Sequence, residues 1–206
     1  MSDTKPTMVT LSITSGKGGV GKTNVVVNLA VALARLRHRV VVLDADFGLG
    51  NVDVLLGLAP QSHLGHVLSG DKTMREVIVE GPEGIHIIPG SSGLRELTVL
   101  SDTHWVRLET GLRALALDYD FLLVDTAAGI ADNVIDLLAT TDRVLIVTSP
   151  EPTAVVDAYA VIKVLTANGV QTDLGVLVNG KPSKHVQNQP ADFPRQKKAN
   201  RLNKDP

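Results

Sequence analysis

Short apolar runs rich in β-branched residues recur along this chain, separated by longer segments whose apolar positions fall three or four apart. Val9–Thr14 (VTLSIT) predicts a buried first strand that runs into a glycine-rich loop. Residues 23–37 predict a helix, with Arg35 and Arg37 near its C-terminus, where cations suit the helix dipole. Further strands are predicted over 40–44, 85–89, 121–125, 144–148 and 174–179. Helices are predicted over 102–117, 131–139 and 153–167. Strands alternating with helices predict an α/β fold, a mostly parallel sheet with helices on both faces. In such folds the chemistry sits in loops beyond the carboxyl ends of the strands. Each motif described below falls at such an end.

Composition narrows the picture. The 206 residues suit one α/β domain with a substantial core built from Val, Leu, Ile and Ala, because only 3% are aromatic. There is no cysteine, which excludes disulfides, thiolate metal sites and iron–sulfur clusters. The first seven residues are polar and do not form a signal peptide. The longest apolar run, residues 29–34, is far shorter than the ~20 residues of a membrane span. The chain therefore reads as soluble and cytoplasmic. Composition shifts after Asn179. Residues 180–206 hold seven Lys/Arg, two acids and four prolines, although the whole chain nets −2. The expected organisation is a globular unit over 1–179 and a basic, disordered tail over 180–206.

The most informative segment is Ser15-Gly-Lys-Gly-Gly-Val-Gly-Lys-Thr23. It contains G-x-x-x-x-G-K-[ST], the spacing of a phosphate-binding loop. Gly16, Gly18, Gly19 and Gly21 allow the backbone around Lys17 and Val20 to wrap phosphates with its N–H groups inward. Lys22 would neutralise the β- and γ-phosphates, and Thr23 can offer its hydroxyl to Mg²⁺. Asp125, after four apolar residues at a strand end, has the Walker-B arrangement for holding Mg²⁺. Gly129 in the following turn can donate its N–H to a γ-phosphate. Asp44 and Asp46 end the second strand, where one of them can orient or deprotonate an attacking water. An ordinary phosphate loop needs only Lys22. The second cation, Lys17, suggests a charge lent to a neighbouring active site, and so a nucleotide-controlled dimer. Asn179-Gly-Lys-Pro is not the Asn-Lys-x-Asp segment that reads guanine; Asn179 can instead meet adenine. The pair His63 and His66 lacks acidic support and reads as surface, and Trp105 as a packing residue.

These motifs resemble the MinD/ParA family of deviant-Walker ATPases. The matching segments are Lys17 to Thr23, Asp44-Ala-Asp-Phe-Gly-Leu-Gly-Asn-Val-Asp53 and Asp125-Thr-Ala-Ala-Gly129. Three others, Val52-Asp-Val-Leu-Leu-Gly57, Ile88-Pro-Gly-Ser-Ser-Gly93 and Thr148-Ser-Pro-Glu-Pro-Thr-Ala154, are similar to the flagellar-number regulators, the FlhG/FleN branch. The resemblance implies a P-loop NTPase fold and an ATP- and Mg²⁺-dependent homodimer with slow, dimerisation-coupled hydrolysis. By the same carry-over Lys17 reaches the partner's phosphates, Asp46 positions water, Asp125 is the Walker-B acid and Asn179 contacts adenine. Thr23, Asp46 and Asp125 form the metal set. Implied partners are an FlhF-like GTPase, flagellar switch proteins or a flagellar transcription activator.

Both ends depart from the family pattern. The glutamine-containing segment that usually activates FlhF is not matched before the first strand. The basic tail stands where relatives continue with further helices and an amphipathic membrane helix. The tail lacks the apolar face that attachment to the inner face of the cell membrane needs. The expectation is a C-terminally truncated fold and a switch ATPase for flagellar number or placement. The alternatives are a ParA-type DNA-partitioning ATPase and a nucleotide-binding interaction module with little turnover. No specific nucleic-acid binding is expected.

Overall fold

The computed structural model describes residues 8–47, 50–90 and 100–180. The basic tail beyond residue 180 lies outside them, as do residues 91–93 of the Ile88–Gly93 segment. Seven strands form one sheet in the order β3-β4-β2-β5-β1-β6-β7. They are β1 (Val9–Thr14), β2 (Val40–Ala45), β3 (Val79–Glu80), β4 (His86–Ile88), β5 (Phe121–Thr126), β6 (Arg143–Thr148) and β7 (Asp173–Val178). Every pairing is parallel except that of β3 with β4. The helices are α1 (Lys22–Arg35), α2 (Val52–Leu56), α3 (Leu64–Ser69), α4 (Asp102–Leu115), α5 (Asp132–Ala139) and α6 (Pro152–Ala167).

Strand alternation explains the layers. Val40 and Val42 of β2 and Leu123 of β5 share a core with Val26, Val27 and Ala30 of α1. The intervening Val41, Leu43, Leu122 and Val124 face the opposite way, onto Leu64 and Leu68 of α3 and Leu108 and Leu115 of α4. Because successive strand side chains point to opposite faces, a run of uninterrupted apolar residues is what a doubly covered strand requires. Val144 and Ile146 of β6 pack on α5 and α6. β7 differs: Leu174, Val176, Leu177 and Val178 are all exposed. Trp105 packs partly buried against the α3–α4 core.

All ten predicted elements lie within two residues of observed ones. The strand ends that carry Thr14, Ala45, Thr126, Thr148 and Val178 all lie at one edge of the sheet, since their strands run parallel. That edge carries the site.

Candidate nucleotide site

The loop between β1 and α1 is shaped by close approaches. A side chain at Gly16 would collide with the backbone of Asp157 in α6. Gly21 is left-handed, with φ 87°. A Cβ there would run into the Asn179 amide, which donates from Nδ2 to the Val20 carbonyl at 2.8 Å. β7 and α6 thus brace the loop from one side. Added Cβ atoms at Gly18 and Gly19 would meet nothing within 4 Å, so that stretch of backbone borders open space. Gly21 also precedes α1, which has no side-chain cap and no acid in its first turn. Its first N–H groups and dipole therefore favour an anion.

A cavity of about 450 Å³ lies against this loop and brings together Ser15, Lys22, Thr23, Asp46 and Asn51. Lys22 Nζ pairs with Asp125 Oδ1, and both side chains are nearly buried. The hydroxyls of Thr14 and Ser15 are buried without a hydrogen-bond partner among the described residues. An orphaned hydroxyl, a lysine and an uncapped helix N-terminus converging on one cavity fit a polyphosphate. No group of three or more His, Asp or Glu among the described residues could hold a metal alone. Mg²⁺ takes one or two carboxylates and completes its shell with water and phosphate oxygens. Thr23, Asp46 and Asp125 fit that role.

A second cavity, about 370 Å³, opens on the other side of the loop, lined by Lys17, Val20, Ser149 and Asn179. Asn179 therefore sits beside a space next to the phosphate loop, with one amide proton committed to Val20. Lys17 does not enter the first cavity. Its ammonium bonds Glu151 Oε2 at 3.0 Å and Thr153 Oγ1 at 3.3 Å, at the start of α6. The lysine is 42% exposed. Glu151 and Thr153 were inside a quoted motif, but only the fold places them against Lys17.

Other residues resolve differently. Gly129, at φ 106°, donates its N–H to the Ser15 carbonyl at 2.8 Å, so it ties the turn after β5 to the phosphate loop. The two aspartates after β2 separate. Asp46 borders the cavity, whereas Asp44 is fully buried and accepts from the N–H groups of Asp46 and Val52. Burial pushes the Asp44 carboxyl up to about 6. The histidine pair is a correction to the surface reading. His63 Nδ1 accepts from Gly65 N–H, and His66 Nδ1 accepts from His63 N–H, so both cap α3. No spacing rule signals an imidazole cap; Ser, Thr, Asp and Asn are the residues that mark one.

A glycine loop opening a helix, a loop lysine paired to a strand-end carboxylate, and a parallel sheet define a P-loop nucleoside triphosphatase. Residues 8–173 match the family described as AAA domain. The chain is 47% identical over 169 residues to the antiactivator FleN of Pseudomonas aeruginosa, covering 82% of this chain and 60% of that protein. It is 39% identical to the flagellum site-determining protein YlxH of Helicobacter pylori, covering 81% of this chain and 56% of that protein. MinD in the MinC:MinD cell division complex of Aquifex aeolicus superposes with TM-score 0.71 at 32% identity, covering 82% and 68% of the two chains. MinD complexed with Mg-ADP from Pyrococcus horikoshii gives 0.68 at 29%, covering 83% and 70%. The chain belongs to the MinD/ParA family of deviant-Walker P-loop ATPases, near its FlhG/FleN branch. It spans about 60% of the length of the curated relatives that it matches.

Proposed function

We propose that this chain is an ATP-dependent, dimerising switch ATPase that regulates flagellar number or placement. The observation that carries the reading is the division of labour between two loop lysines. Lys22 is buried against Asp125 inside its own site, while Lys17 stands at the outer rim, held among the described residues by exposed contacts to Glu151 and Thr153. A cation on a surface latch can be given up to a second protomer at small cost.

In this reading the backbone around Gly18, Gly19 and Gly21 and the N-terminus of α1 bind the phosphates. Lys22 exchanges its bond to Asp125 for β- and γ-phosphate oxygens. Thr23, Asp46 and Asp125 are the residues that would hold Mg²⁺, which when bound would neutralise phosphate charge. Asp46, at the cavity wall, orients the attacking water. Lys17 of one protomer offsets charge that develops on the phosphates in the other, so that hydrolysis follows assembly. Asn179 faces the adenine side, and Gly129 couples the turn after β5 to the loop through Ser15. The ATPase unit runs to Asn179, with 180–206 as an appended basic tail. The likeness to FleN and YlxH supports a cytoplasmic role acting on flagellar assembly or regulatory proteins. No helix among the described residues is long and apolar enough to cross a membrane.

Phosphate release and particle mass, measured together with ATP–Mg²⁺ and with ADP–Mg²⁺, test the reading. Dimers with ATP only, and release that rises with protein concentration, are expected. A monomer that hydrolyses ATP at a concentration-independent specific rate would overturn it.

A further inference from the structure

We propose that Asp44 is a positioning residue: from outside the nucleotide cavity it holds both ends of the loop that presents Asp46 and Asn51 to it. The inference rests on the ATPase reading above. Asp44 is the penultimate residue of β2, just before the loop, in register with Asp125 on β5. Its side chain has no solvent exposure, and it does not border the cavity that Asp46 and Asn51 line. Oδ1 accepts the Asp46 N–H at 3.2 Å and Oδ2 accepts the Val52 N–H at 3.0 Å. One carboxylate therefore grips the loop at residue 46, where it leaves the sheet, and at residue 52, where α2 begins.

The surroundings are built to this carboxylate. A Cβ at Gly50 would lie 3.0 Å from Asp44 Oδ2, and a Cβ at Gly90 would lie 3.0 Å from its Cγ and from its main-chain oxygen. A side chain at either position would press on Asp44, which would have to give by a few tenths of an ångström. No ion pair among the described residues includes Asp44; the nearby cation, Lys22, is paired with Asp125. Burying a carboxylate without a cation is expensive. A single N–H at the start of a five-residue helix would be served as well by a neutral Ser or Asn. Two N–H groups, one from each end of the loop, need an acceptor with two equivalent oxygens. Carboxylate geometry supplies that where Asn cannot, because the Asn amide nitrogen would face an N–H donor. Between the two clamped N–H groups lie Asp46 itself, whose carboxylate must sit within hydrogen-bond reach of the attacking water, and Asn51 at the cavity wall. An ångström of slack there is enough to cost about 100-fold in rate.

The test compares wild type with Asp44→Ala and Asp44→Asn, each as the full chain. Affinity for a fluorescent ATP analogue, steady-state phosphate release and amide hydrogen exchange over residues 50–56 are measured. The expected result is a fall in kcat of at least about tenfold for Asp44→Ala, with nucleotide affinity held within about threefold. Asp44→Asn, which keeps one acceptor, falls between the two. Exchange over 50–56 rises in both variants. The proposal is overturned if kcat of Asp44→Ala stays within about twofold of wild type, or if affinity and kcat fall in parallel. It is also overturned if both variants fail to unfold cooperatively, since the carboxylate would then be holding the fold as a whole. Wild type that releases no phosphate would sink the ATPase reading instead, and exchange over 50–56 would then decide the positioning claim alone.

Discussion

Lys22→Met probes the buried pair at the centre of the site. Lys22 and Asp125 are 10% and 3% exposed, so the substitution leaves a carboxylate in the interior without its cation. Breaking a buried pair from one side costs about 3–5 kcal/mol. In a domain of this size each kcal/mol shifts Tm by roughly 2–4 °C, so Lys22→Met should melt about 6–20 °C below wild type. Asp125→Asn should cost less, because the freed ammonium can swing on its flexible stem into the adjoining cavity. The double variant Lys22→Met/Asp125→Asn removes both charges and should recover most of the loss, a coupling of at least about 2 kcal/mol. Calorimetry without nucleotide reads all four proteins. ATP binding, measured in parallel, should stay lost in the double variant although its stability returns. If Lys22→Met melts within about 2 °C of wild type, or the two single losses simply add, the pair does not carry the charge balance assigned to it.

The latch between Lys17 and Glu151 is an exposed contact worth about 0–1 kcal/mol, so Glu151→Gln should strengthen ATP-dependent association by up to about fivefold in sedimentation; weaker association would refute the latch. Gly21→Ala places a side chain at φ 87° and against the Asn179 amide. It should cost about 1–2 kcal/mol of stability from the left-handed backbone alone and break the Asn179–Val20 bond, which calorimetry and nucleotide titration would show. His63 is held below its ordinary 6.5, first by burial and then by the charge of neighbouring His66. A base depressed in the fold contributes stability that is full above 6.5 and lost as pH falls below it, because protonation turns the Nδ1 acceptor of the α3 cap into a donor. His63→Asn keeps a cap without the titration, so its Tm should change less than that of wild type between pH 7.5 and 5.5.

The centre of the sheet was legible because its strands are doubly covered. Runs such as Val40–Leu43 and Leu122–Val124 are apolar at every position, and helices α1 and α6 are long enough to show their spacing. The elements missed were α2, α3, β3 and two 3₁₀ turns at Met74–Val77 and Pro82–Gly84, none longer than six residues and several bounded by glycine. No helical period can be recognised over one turn and a half. The phosphate-loop residues were legible because their spacing is local. What spacing could not supply was direction. Asp44 and Asp46 are two apart at the end of one strand; the turn buries the first and leaves the second at the cavity. Likewise Lys17 and Glu151 are neighbours only because β6 lies beside β1.

The central claim is that Lys17 works in a partner's site, and mixing two crippled proteins tests it. Lys17→Ala lacks the lent cation, and Asp46→Ala lacks the residue that orients water; each should be nearly inactive alone. In a mixed dimer the Lys17→Ala protomer keeps its own Asp46 and receives Lys17 from the other chain. An equal mixture should therefore regain phosphate release, up to about a quarter of the wild-type rate, from one competent site in each mixed dimer. If Lys17 served its own site, no pairing would complete a site, and a mixture as inactive as its components would contradict the account.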